Sequence, residues 1–186
     1  MEASTINIHA DLIERCRNHD RSAQFEIYQL YSKAMFNTAL RITGEQNDAE
    51  DVLQDAFVSV FQNLSSYRAD ASFGAWLKRI VINKALNQVQ KSKKDLMLVE
   101  EIKKEGNPVV EWNEKNDPIY TVDTVKQAMR ELPSGFRTVL SLYLFEGYDH
   151  KEIAEILGIT ESTSKSQYKR AKDKLKMIIQ QEVNYG

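Results

Sequence analysis

Between Glu161 and Ile178 stand six cations, Lys165, Lys169, Arg170, Lys172, Lys174 and Lys176, against two acids, Glu161 and Asp173. Among them Ser164, Tyr168, Ala171, Leu175 and Ile178 recur at spacings of four and three, which makes one inward stripe of a helix. A cationic helix with such a stripe suits the major groove of DNA. Its first polar residues, Ser162, Thr163, Lys165, Ser166 and Gln167, can reach base edges, and Lys169 and Arg170 can meet phosphate. A solvated surface helix carries similar charge runs, so the segment before this helix has to decide between the two.

A second set of polar residues, Asp48, Asp51, Gln54 and Asp55, lies opposite the apolar face Ala49, Val52, Leu53, Ala56, Phe57, Val60, Phe61 and Leu64. Acids near a helix N-terminus are favoured by the dipole, which accounts for Asp48 and Asp51 but not for Gln54 and Asp55. Three carboxylates on one face can hold a divalent ion, yet the sequence has no second acidic cluster to complete the octahedral shell that magnesium demands. In a third set, Tyr67, Arg68, Phe73, Trp76, Lys78, Arg79, Lys84, Lys91, Lys93 and Lys94 interleave rings with cations, a composition that holds single-stranded nucleic acid. Phe73 and Trp76, at helical spacing, read as packing residues. Tyr67 and Arg68, in a polar loop, read as exposed.

No catalytic constellation accompanies these sets. The chain has no Gly-rich phosphate loop and no nucleophile elbow, and His9, His19 and His150 have no metal-site spacing. The expectation is a protein that is not an enzyme and needs no cofactor. Cys16 is the single cysteine, so no internal disulfide can form and a reducing cytoplasm is the expected home. Neither a membrane-spanning apolar run nor a signal peptide is visible. The net charge of −2 over 186 residues argues against indiscriminate binding to nucleic acid.

The elements that must position these residues are all helical. Asp149 with Glu152 has capping-box spacing before the apolar Ile153, Ile156 and Leu157; Gly158 closes that helix and Thr160 caps the next. Two capped helices separated by Gly158, Ile159 and Thr160 form a helix-turn-helix, which tips the cationic helix toward DNA. Upstream, a brief helix fits residues 10–17. A longer one runs from Ser22 to Ile42 with Phe25, Tyr28, Tyr31, Met35, Ala39 and Ile42 on one side, closed by Gly44. Asn47 and Glu50 have the spacing of a capping box for the acidic helix, and a further helix carries Phe73, Trp76, Leu77, Ile80, Val81 and Leu86 inward. Residues 95–123 have two prolines, a glycine and eight acids against three cations, and read as a flexible linker. Beyond it, TVKQAMREL up to Pro133 and GFRTVLSLYLFEG up to Gly147, with Phe136, Val139, Leu140, Tyr143 and Leu144 as core, complete a four-helix domain. The predicted fold is thus all-α, with two small helical domains at 1–94 and 124–186.

LGITESTSKSQYKRAKDKL resembles the C-terminal helix-turn-helix of bacterial RNA polymerase sigma factors of the extracytoplasmic-function class, and LPSGFRTVLSLYLFEGYDHKEIAEILGI resembles their region four throughout. DAEDVLQDAFVSVF is similar to the most typical segment of their region two. The resemblance covers about residues 22–94 and 124–179. It departs at Ser164, where the family usually has a branched apolar residue, and at Gln167, where a basic residue is common. It implies that Asp51, Gln54 and Asp55, with Asp48 beside them, contact the clamp coiled coil of core RNA polymerase. It also implies that Tyr67, Arg68, Lys78, Arg79, Asn83 and Asn87 melt and read the downstream promoter element around a flipped-base pocket, and that the basic helix reads the upstream one. Core polymerase, promoter DNA and an anti-sigma factor are the implied partners, and transcription initiation the implied function. The segments that larger sigma factors carry before region two and between regions two and four are expected to be missing, as that class requires. The rival reading is a stand-alone helix-turn-helix regulator. A receiver domain would need alternating strands and helices, whereas the N-terminal half shows helical periods throughout.

Overall fold

A computed structural model describes the backbone of residues 9–97 and 121–185, with side chains described to residues 91 and 181. Among these residues the structure is all-helical, and the chain divides into two compact units, Met1–Lys91 and Ser92–Gly186.

The first unit holds α1 (Ala10–Arg17), α2 (Arg21–Thr43), α3 (Gln46–Gln62), a single 3-10 turn (Leu64–Ser66) and most of α4 (Phe73–Met97). Asp20 starts α2 by accepting from the amides of Ser22 and Ala23, at 2.8 and 3.3 Å, and Gly44 ends it at φ 82°. That left-handed turn leaves a single linking residue, Glu45, before α3, so the helices are forced into an antiparallel pair. The buried stripe of α2 runs through Ala23, Ile27, Met35, Ala39 and Ile42 against Ala49, Val52, Ala56, Phe57 and Val60 of α3.

Three expectations for α2 and α3 are corrected. Phe25 is 59% exposed, because it lies two positions after Ala23 and a helix turns about 100° per residue, placing it across the cylinder from the stripe. Tyr28, predicted on the inward side, lies at the edge of that stripe, partly exposed, with its ring 4.9 Å from Phe57. Asn47 is not a cap. The cap falls two residues earlier, where Glu45 holds the extended N-cap conformation with no side-chain bond, and Glu50 instead accepts from Gln46 Nε2 at 2.9 Å.

The second unit holds α5 (Val122–Glu131), α6 (Ser134–Leu144), α7 (His150–Leu157) and α8 (Glu161–Tyr185). Its core gathers Ala128, Met129, Leu132, Leu140, Ala171 and Ile178, with Phe136, Tyr168 and Leu175 packed against them. Arg137 is buried, and its Nη1 donates to the carbonyls of Arg130 and Leu132 at 3.0 Å each. It thereby satisfies acceptors that the end of α5 leaves without an intrahelical partner. Leu144, expected in the core, is 52% exposed, and Tyr143 sits at the margin, while Val139, Leu140 and Leu142 of α6 are fully buried.

The ends of the predicted linker fall inside helices: α4 continues to Met97 and α5 begins at Val122. The rest of it, 98–120, lies outside the described residues.

Candidate polymerase-binding and nucleic-acid interfaces

On α3 the four polar residues divide into two kinds. Asp51, Gln54 and Asp55 are exposed side by side, while Asp48 is half-buried and accepts from Gln88 Nε2 of α4 at 2.8 Å. Asp48 therefore ties α3 to α4. Val58, 54% exposed, extends the free face by one more turn. Its position four residues after Gln54 and seven after Asp51 puts it on the same helix face, a signal present in the spacing. Among the described residues no three His, Cys, Asp or Glu side chains come together as a metal site.

The loop before α4 is built from inside. Tyr67, expected to stand exposed, is 4% exposed, and burial pushes its phenol above the usual tyrosine range. Its Oη donates to Ala71 O at 2.8 Å, and its ring packs 5.5 Å from Phe73 and 5.2 Å from Trp76. The aromatic that looked like a stacking platform is the floor of the loop. A phenol can be buried there because one backbone carbonyl satisfies it. Arg17, which the sequence did not single out, reaches from α1 to donate to Tyr67 O at 2.9 Å. No local pattern announces a contact across fifty residues. Ser72 Oγ accepts from the amide of Ala75 at the start of α4. Of the remaining predicted residues, Arg68 is exposed on the loop, Asn83 and Asn87 are exposed one turn apart on α4, and Lys78 and Arg79 are half-buried.

The helix-turn-helix has the predicted construction. Asp149 Oδ1 accepts from the amide of Glu152 while Glu152 Oε2 accepts from the amide of Asp149, both at 2.8 Å. Gly158 takes φ 65°, and Thr160 Oγ1 accepts from the amide of Thr163 at 3.1 Å. On α8, Ser164 is fully buried, as its place in the stripe requires, and lies 2.9 Å from His150 Nδ1.

The exposed residues of α8 are not equally free. Ser162 and Lys169 face solvent, but Lys165 pairs with Glu161 at 2.6 Å, which holds the Glu161 carboxyl below its usual range. Thr163 is engaged with Thr160 at the cap, Ser166 Oγ donates to Thr163 O, and Gln167 is half-buried. The Arg170 guanidinium lies 5.4 Å from the centre of the Phe136 ring.

Two family matches fall on these elements. Residues 27–95 match Sigma-70 region 2, and residues 123–175 match Sigma-70 region 4, so the acidic face lies in one and the helix-turn-helix in the other. The chain belongs to the sigma-70 family. Its relatives place it in the extracytoplasmic-function class of these transcription-initiation factors. It is 28% identical over 173 residues to the ECF RNA polymerase sigma factor SigW of Bacillus subtilis, spanning 88% of this chain and 92% of that protein. It is 28% identical over 178 residues to the RNA polymerase sigma-H factor of Pseudomonas aeruginosa, spanning 91% and 92%. In fold, this sigma factor is similar to RpoE of Bartonella quintana, solved in complex with the anti-sigma factor NepR. The TM-score is 0.58 at 21% identity, covering 83% of this chain and 95% of that one. It is also similar to CnrH, solved with the cytosolic domain of CnrY, at a TM-score of 0.53 and 21% identity, covering 91% and 96%. Among the described residues no helix of this sigma factor is long and apolar enough to cross a membrane.

Proposed function

We propose that this sigma factor binds core RNA polymerase through Asp51, Gln54, Asp55 and Val58, directs it to particular promoters through α8, and helps open them through the Arg68 loop and α4. The observation that carries the reading is the α3 face. Three polar side chains and one apolar one stand exposed together on a helix whose opposite side is buried in the core. Such a face supplies carboxylates for cations of a partner and an apolar centre for packing. Asp48 is left out of it, since its carboxylate already serves α4.

Promoter opening is assigned to Arg68, Arg79, Asn83 and Asn87, with Tyr67 holding the loop's shape from beneath. Unpairing a base costs a few kcal/mol, so contacts to a splayed base must be joined by polymerase binding energy. Upstream reading is assigned to Ser162, Lys165, Ser166 and Lys169. The chain carries out no chemistry itself in this scheme. Capture by an anti-sigma factor is proposed because the similar RpoE was solved with one. The experiment is run-off transcription with core polymerase over a promoter library. Transcripts from a defined promoter set that vanish without the chain are expected; a transcript pattern unchanged by its addition would overturn the reading.

A further inference from the structure

We propose that His150 sets the angle at which α8 is presented to DNA, acting through its hydrogen bond to Ser164. It is a positioning residue and touches no base or phosphate. The proposal rests on the reading that α8 contacts the upstream promoter element.

The caps at Gly158 and Thr160 fix the backbone of the turn, but the angle between α7 and α8 depends on what packs between them. Little does. α7 has eight residues and buries only Ile153 and Ala154. The fully buried residues of α8 nearest the turn are Ser164 and then Ala171, both small, with Tyr168 half-buried between them. Small side chains allow close approach yet give little resistance to rocking. A directional contact takes over here: Ser164 Oγ, one turn into α8, lies 2.9 Å from His150 Nδ1 at the first position of α7.

The imidazole is itself held from two sides. It stacks on Tyr143 of α6, with centroids 4.7 Å apart and planes 20° apart, and it meets Tyr168 of α8 edge-on at 5.5 Å. Tyr143 and Tyr168 also touch, at 4.5 Å, so the three rings close a triangle. One side chain therefore links α6, α7 and α8. A buried hydroxyl without a partner is costly, so the native angle is the one at which Ser164 meets this fixed ring.

Ser162, Lys165, Ser166 and Lys169 all lie within two turns of Ser164. At 1.5 Å per residue Lys169 lies about 7.5 Å along the axis from Ser164, so rocking α8 by about 10° displaces it by about 1.3 Å, more than a hydrogen bond tolerates. The residues proposed to face DNA are thus aimed by a contact on the opposite side of their helix.

Separate variants can remove the ring and the hydrogen bond. Ser164→Ala removes the hydroxyl; His150→Phe keeps the stack and removes the nitrogen; His150→Asn keeps a polar group near Nδ1 and removes the stack. In His150→Phe with Ser164→Ala neither polar group remains to be left unsatisfied. The full chain is bound to core polymerase and titrated onto a promoter with its upstream element intact or scrambled, with thermal unfolding measured alongside. The single variants Ser164→Ala and His150→Phe are expected to lose about tenfold in the intact-to-scrambled affinity ratio, as a lost buried hydrogen bond would give. His150→Asn should recover most of that ratio. The double variant should regain thermal stability but not the ratio, since no directional contact remains. A double variant that regains both, or single variants that keep the wild-type ratio, would overturn the inference. A wild-type chain indifferent to scrambling would instead overturn the reading of α8, and the inference with it.

Discussion

Gln88 Nε2 on α4 donates to Asp48 Oδ1 on α3 at 2.8 Å, and this one contact separates the structural acid of the α3 face from the free ones. Asp48→Ala is therefore expected to cost about 1 kcal/mol of stability, the size of a typical net intramolecular hydrogen bond. Asp51→Ala with Gln54→Ala should stay within about 0.5 kcal/mol, as exposed changes do, while weakening core polymerase binding strongly. Thermal unfolding and a polymerase titration of the same proteins check both halves. A double variant that binds polymerase at wild-type affinity would end the assignment of that face.

Much of this site was legible because helical period and capping chemistry are local. Asp149, Glu152, Gly158 and Thr160 each signal within four residues, and all four behave as read. The acidic face also followed from spacing. What escaped was contact between distant segments: Gln88 with Asp48, Arg17 with Tyr67, and His150 with Ser164. Tyr67 was misplaced for the same reason. Its neighbours in sequence are polar, but the rings of Phe73 and Trp76, which fold back over it, decide its burial. Phe25 differs in the opposite sense: its apolar ring stands on the exposed side of α2, while Ile27, two positions on, is fully buried.

Lys165 and Lys169 should differ in how they contribute to DNA binding. Lys169→Ala is expected to flatten the salt dependence of binding by roughly 0.9, the slope of one phosphate contact. Lys165→Ala should flatten it less, because Glu161 already holds that ammonium. In a Glu161→Gln background the Lys165→Ala effect should rise to match Lys169→Ala. Binding titrations across a salt series measure these slopes, and equal slopes for the two lysine variants in the native background would refute the pairing's role.

Asp20 gives a pH test. Its hydrogen bond from Arg15, at 2.8 Å, together with the amides of Ala23 and Ser22, holds its carboxyl below the ordinary aspartate range. A depressed folded pKa means the stabilisation is fully present above the unfolded value and is lost as pH falls through the folded one. The gap in melting temperature between wild type and Asp20→Asn should thus be constant near neutrality and close in acid below the ordinary aspartate pKa. Asparagine keeps the capping oxygen, so the gap isolates the charge. A gap that widens on acidification would contradict this.

Cys16 is buried in the first unit, and its thiol is pushed up to about 11, by burial first and by the nearby Asp20 charge second. The thiolate is the reactive form. Iodoacetamide at neutral pH should leave the native protein unmodified over a period that fully alkylates the denatured chain, as read by intact mass. Equal labelling in both states would show that the thiol is not protected.

The central claim is that promoter specificity belongs to the chain and core polymerase together. Residues 124–186 carry ten cations against eight acids, and residues 95–123 three against eight, so few phosphates can be neutralised by the chain alone. Alone it should bind duplex near the nonspecific range of roughly 10⁻⁴ to 10⁻⁶ M at physiological salt. Joining two weak modules on one scaffold raises the effective concentration of the second and gains about 10² to 10⁴. The deciding measurement is fluorescence anisotropy of a labelled promoter duplex with the purified chain at physiological salt, with and without core polymerase. The account expects weak, sequence-indifferent binding alone and tight, promoter-specific binding with polymerase; nanomolar, sequence-specific binding by the chain alone would contradict it.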